Sequence, residues 1–113
     1  MSYVVKETKT YHQAAAEVVK SAEAVINQLG GKPSKKNKPA EGRLEANFNK
    51  KVGGKPLNNR VQLEVRVTSE SPEQCAVSME AYPVDPLGNK LAFGVQGQPG
   101  RVVLDAFLSA LGG

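Results

Sequence analysis

Between Asn59 and Thr68 the chain reads Asn-Arg-Val-Gln-Leu-Glu-Val-Arg-Val-Thr, so that Val61, Leu63, Val65 and Val67 alternate strictly with Arg60, Gln62, Glu64, Arg66 and Thr68. Successive side chains of a strand point to opposite faces. The period-two pattern therefore predicts a half-buried strand, with four aliphatic side chains on a core and a charged ladder in water. The rest of the chain can be placed relative to that face.

Residues 2–9 are rich in β-formers and predict a strand. Thr10 to Gln13 has the form of a capping box, which predicts a helix start. Apolar residues then recur at Ala15, Val18, Val19, Ala22, Val25, Ile26 and Leu29, with polar residues opposite, so Gln13 to Leu29 reads as an amphipathic helix that Gly30-Gly31 ends. Lys32 to Pro39 holds four lysines and two prolines and is expected to be a loop, and residues 30–41 a flexible basic segment. Arg43 to Val52 resumes a strand with Leu44, Ala46 and Phe48 on one face and Glu45, Asn47 and Asn49 on the other. Gly53 to Asn58 is a hairpin-type connection into the alternating strand. After a turn at Glu70 to Glu73, Cys75, Val77, Met79 and Ala81 alternate with polar or small residues in another strand. Asp85-Pro-Leu-Gly88 suits a tight turn, and Lys90 to Val95 reads as a last short strand.

From Pro99 to Leu111 only Arg101, Asp105 and Ser109 are polar, and they are spaced by four. They form one narrow stripe, so the rest of this helix wants burial, more than a flat sheet provides. The predicted fold is α+β in one domain, residues 1–113: strand, helix, four antiparallel strands, helix, with a curved antiparallel sheet gripping the C-terminal helix. This order, with the amphipathic Gln13–Leu29 helix and the nearly all-apolar Pro99–Leu111 helix, resembles the helix-grip, or TATA-binding-protein-like, architecture, which includes START-like domains related to the birch-pollen allergen. The resemblance is one of topology and implies a small relative, since those domains usually place six strands between the helices. It carries over no functional residues.

Composition excludes several chemistries. Cys75 and His12 are the entire supply of their kinds, which rules out an internal disulfide and Cys/His metal sites. No apolar run approaches a membrane span and no signal peptide is legible, so a cytoplasmic protein without integral membrane association is expected. Cys75 falls on the apolar phase beside Val77 and Met79 and reads as a core residue rather than as a nucleophile activated by His12. The glycines at 53–54 and 94–100 lack phosphate-binding spacing. Glu64 and Glu80 fall on neighbouring strands but on the outward ladder, so they read as solvated charges rather than an acid–base pair. No enzyme, metal or cofactor is expected.

Two functions of different class remain. The first is a non-catalytic small binding domain whose groove between sheet and C-terminal helix, lined by Phe48, Val65, Met79, Phe93 and Phe107, takes an apolar ligand or a partner segment. The second arises from charge. Net charge is +4, but residues 1–60 hold twelve Lys and Arg against five Glu, while residues 61–113 hold three against six Asp and Glu. Lys32, Lys35, Lys36, Lys38, Lys50, Lys51, Lys55 and Arg60 would bind nucleic acid or another polyanion if the fold gathers them.

Overall fold

In the computed structural model, which describes residues 3–112, the alternating stretch lies inside the longest strand of a five-stranded antiparallel sheet. The elements are β1 (Val5–Tyr11), α1 (Ala15–Gln28), β2 (Lys32–Pro33), β3 (Arg43–Phe48), β4 (Lys51–Val52), β5 (Lys55–Pro56), β6 (Arg60–Ser71), β7 (Gln74–Val84) and α2 (Pro99–Leu111). The sheet runs β1-β7-β6-β3-β2, and β4 and β5 form a separate small hairpin. The α+β architecture predicted from the sequence is the one observed. Ser2, which begins the first predicted strand, lies outside the described residues.

Both helices cover the same face of the sheet. Val61, Leu63, Val65 and Val67 of β6 point to that face, none more than 7% exposed. Opposite them stand Phe48, Ala46 and Leu44 on β3, and Pro83, Ala81, Met79 and Val77 on β7. Onto this floor α2 sets Val103, Leu104 and Phe107, and α1 sets Val18, Ala22, Val25 and Ile26. Where α1 gives way to the sheet, Gly31 approaches so closely that a Cβ would stand 2.7 Å from the Phe48 ring. A larger residue there would push the ring from its seat. At the opposite end of β3, Gly42 is left-handed (φ 74°) and its carbonyl accepts a hydrogen bond from the Val67 N–H at 2.8 Å, where a Cβ would strike the Val67 carbonyl.

β1 closes one side of the sheet against β7, with Val5, Glu7, Lys9 and Tyr11 on the face that carries Ala81, Met79, Val77 and Cys75. Two charged residues thus stand half-buried on the inward side of an edge strand. Because this ladder runs on to Tyr11–Cys75, Thr10 is held extended opposite Ala76 and the predicted capping box does not form. The helix starts at Ala15, with Ala14 as an N-cap that has no side-chain bond.

Two further expectations are corrected. The stretch Lys90 to Val95 is not a strand, because β7 already has β1 on one side and β6 on the other. It keeps a single bridge, Lys90 to Val84, after the predicted turn, in which Asp85 Oδ1 accepts from the N–H groups of Leu87 and Asn89. The fourth strand that the five-stranded sheet takes from between the helices lies instead in the lysine segment: Lys32 and Pro33 pair with Asn47 and Ala46. Beyond them Ser34 N–H donates to the Glu45 carbonyl, Asn37 Oδ1 accepts from Glu45 N–H, and residues 39–41 form a 3-10 turn.

Phe107 has no exposed surface and lies in the central cluster. Replacing it with Ala should cost about 3–5 kcal/mol in chemical denaturation. A loss below about 1 kcal/mol would mean that α2 is not seated as described.

Candidate functional site

The groove residues named from the sequence divide four to one. Phe48, Val65, Met79 and Phe107 are packed into the core under the two helices, each at most 2% exposed, with the Phe48 ring beside Gly31 at the end of α1. Phe93 does not join them. With no strand at Lys90–Val95 to turn it inward, its ring is 84% exposed. Its neighbours in exposure are Leu87 and Val102, so among the described residues the exposed large hydrophobics all belong to the stretch that leads from β7 into the first turn of α2. That stretch crosses the end of the sheet. It is held by Leu91 N–H to the Pro83 carbonyl (3.0 Å), Asn58 Nδ2 to the Gln96 carbonyl (3.1 Å) and Val95 N–H to the Tyr3 hydroxyl (3.4 Å).

The basic residues fall into two groups. Lys32 emerges beside the end of β3, where Lys50, Lys51 and Lys55 sit on or next to the β4–β5 hairpin. The hairpin is tied to the end of α1 by Gly53 N–H to the Leu29 carbonyl. Lys35, Lys36 and Lys38 run along β3 toward its other end, where Lys38 reaches Glu41 (3.9 Å) and Lys36 borders the outer face of the sheet. Arg60, half-buried, opens β6 opposite Val84.

The outer face of the sheet holds a concavity of about 400 Å³. Its floor is built by register. Glu45 on β3 stands directly opposite Glu64 on β6, and Glu64 stands opposite Glu80 on β7, so three carboxylates cross three strands in one row. Tyr82, almost wholly buried, donates its hydroxyl to Glu64 Oε2 at 2.6 Å, while Lys90 lies 4.5 Å over the Tyr82 ring and 3.7 Å from Glu80. Burial, the Glu64 hydrogen bond and the charges of the row together push the Tyr82 phenol well above its ordinary pKa. At the other end of the row Glu45 is also raised, by burial first and then by the charge of Glu64, against the opposing pull of Lys36, of a hydrogen bond from Gln62 and of Arg43. Behind the row Asn47 Nδ2 donates to Gln62 Oε1 and Gln62 Nε2 to Ser34 Oγ at 2.7 Å, which fixes the lysine segment to the sheet.

Cys75 is fully buried opposite Tyr11, and burial raises its thiol pKa, which keeps it protonated. His12 lies exposed between β1 and α1. Among the described residues no group of three or more His, Cys, Asp or Glu is placed to hold a metal, and no helix is long and apolar enough to cross a membrane. Of the outer-face residues, Glu64 and Glu80 were legible as neighbours and Glu45 as outward-facing. The part of Tyr82 was not: the phenol lies eighteen residues from its acceptor, with no spacing rule to join them.

No protein-family model matches the chain, and no curated protein matches its sequence. Solved structures do resemble it. An uncharacterised Bacillus thuringiensis protein superposes with a TM-score of 0.59 at 9% identity, covering 96% of this chain and 95% of that one. The di-domain aromatase/cyclase BexL gives 0.58 at 14% identity over 96% of this chain, which spans 44% of BexL. The aromatase/cyclase ZhuI from a Streptomyces species gives 0.53 at 13% identity, covering 96% of this chain and 86% of ZhuI. The chain therefore has the helix-grip fold. The expectation of a non-catalytic protein is overturned by the same likeness, since two of these neighbours are aromatase/cyclases: a fold that carries catalysis cannot be set aside because no local motif announces it.

A folded-state pKa raised above the unfolded value means that Glu45 costs stability once it ionises, and that the cost fades as pH falls toward the ordinary carboxylate range. Glu45→Gln should raise Tm at about pH 7, with the gain closing near about pH 4. A lower Tm at neutral pH would show that Lys36 and Arg43 outweigh Glu64.

Proposed function

We propose that this chain is a small-molecule-binding domain that takes an apolar ligand, or an apolar partner segment, between the curved sheet and α2, entering beneath residues 85–98. The observation that carries the reading is the placement of Leu87, Phe93 and Val102, the exposed large hydrophobics among the described residues, on one stretch that runs into the start of α2. Exposed apolar side chains gathered at one edge mark interaction sites. Phe48, Val65, Met79 and Phe107 belong to the buried core, and they supply the apolar surface that a ligand would meet if the cover moved. Beyond Lys90, which is tied to Val84, Glu80 and Tyr82, the cover is held among the described residues by three hydrogen bonds, and exposed segments with few buried contacts are the cheapest to open. The fold likeness supports the reading, since the same architecture is found in two aromatase/cyclases.

The test is titration with 1-anilinonaphthalene-8-sulfonate, followed by fluorescence and by amide chemical shifts. Saturable binding is expected, with shifts at residues 85–104, and the double variant Leu87→Ser/Phe93→Ser should weaken it about tenfold while leaving Tm unchanged. Binding indifferent to that variant, or none, would overturn the reading.

A second reading is favoured by the collection of Lys32, Lys50, Lys51 and Lys55 at one end of β3, all exposed and with no ion pair among the described residues. Four phosphate contacts would make affinity for labelled DNA or RNA fall about a hundredfold between about 50 and about 200 mM salt, and Lys50→Gln/Lys51→Gln/Lys55→Gln should flatten that fall to about fourfold. Absence of binding at the lower salt would remove this reading.

A further inference from the structure

The outer-face concavity has a charge pattern that a merely soluble surface does not need. Its acid row, Glu45, Glu64 and Glu80, runs across β3, β6 and β7. Two residues further along the strands, Arg43 stands directly opposite Arg66. Like charges placed directly opposite each other on a sheet repel, and a face selected for solubility alone lowers that repulsion by alternating sign across strands. Here Glu45 faces Glu64 and Arg43 faces Arg66, while on β1 Lys6 stands directly opposite Glu80 and balances that end of the acid row. Arg43 acts on Glu45 through space, but no ion pair joins the rows: among the described residues the ion pairs within 4.0 Å are Lys38–Glu41, Lys90–Glu80 and Arg101–Asp105. Within that distance neither Arg43 nor Arg66 meets a carboxylate, and neither Glu45 nor Glu64 meets a cation.

At about 3.4 Å per residue, positions two apart on a strand put the rows about 7 Å from each other. The concavity that contains both, about 400 Å³, is within the size range of small-ligand sites. We propose that this face binds a zwitterion, its ammonium group over Glu45 and Glu64 and its carboxylate over Arg43 and Arg66, with the charges about 7 Å apart as in an extended dipeptide. The ammonium relieves the repulsion within the acid row, and two guanidinium forks suit a carboxylate. Tyr82, by donating to Glu64 Oε2, fixes one oxygen of that carboxylate and leaves the other without that bond. The proposal stands on the face opposite the one discussed for apolar ligands, so the two fail separately.

The experiment is amide chemical-shift titration with glycylglycine, N-acetylglycylglycine and glycylglycinamide. Saturable shifts on β3, β6 and β7 are expected for the dipeptide, with at least tenfold weaker binding of the N-acetyl and amide compounds, each of which lacks one charge. Arg66→Gln, at an exposed position, should weaken the dipeptide about tenfold and leave the amide unaffected. Equal binding of all three compounds, no saturable shift on these strands, or dipeptide binding unchanged by Arg66→Gln would each overturn the proposal.

Discussion

The pairing register of β6 with β3 and β7 is the constraint on which both faces depend. A slip of one residue would turn Val61, Leu63, Val65 and Val67 into solvent. Burying each such side chain stabilises by about 1.5–3 kcal/mol, whereas a pair of like charges directly opposite on a sheet costs on the order of 0.2–1 kcal/mol. The core therefore decides the register, and the outer face must accept the pairing that the core imposes. Glu45, Glu64 and Glu80 face one another because Ala46, Leu63 and Ala81, one residue away, do so on the inside. Tyr82 fits the same logic, since its ring fills the outer floor beside the row while its hydroxyl stabilises the central carboxylate.

How much of the molecule was legible in the sequence depends on how local each signal is. The faces of β3 and β6, the turn at Asp85 and the burial of Phe107 came from periodicity or turn chemistry within a few residues. The capping box at Thr10 was a true local signal that lost to a non-local one, the ladder pairing Thr10 with Ala76. Phe93 was placed inward by a short alternation whose preceding strand, β7, was already paired on both sides. The short strand at Lys32–Pro33 had no pattern of its own and depends on β3 for its existence. The site on the outer face was half visible: the outward orientation of Glu45, Glu64 and Glu80 could be read, but which residue opposes which is a property of the assembled sheet.

The same distinction bears on catalysis. A nucleophile elbow or a phosphate loop is written in consecutive residues, so its absence from a sequence is informative. Side chains delivered to one place by strand register are not so written. This fold brings a buried phenol, a row of carboxylates and two guanidinium groups onto three strands, with no two of the named residues adjacent in the chain. A reading confined to motifs has little to say about such an arrangement, and the likeness to aromatase/cyclases marks where that silence was overinterpreted.

Glu7 and Lys9 on the inward side of β1 have a further consequence. The outer strand of an open sheet offers its unpaired backbone groups to any other chain that can lie alongside. A second molecule extending the sheet at β1 would have to continue its apolar layer past two charged side chains, stranding them between stacked sheets. Those two residues weaken the hydrophobic face locally, and in return they keep copies of this protein from polymerising edge to edge.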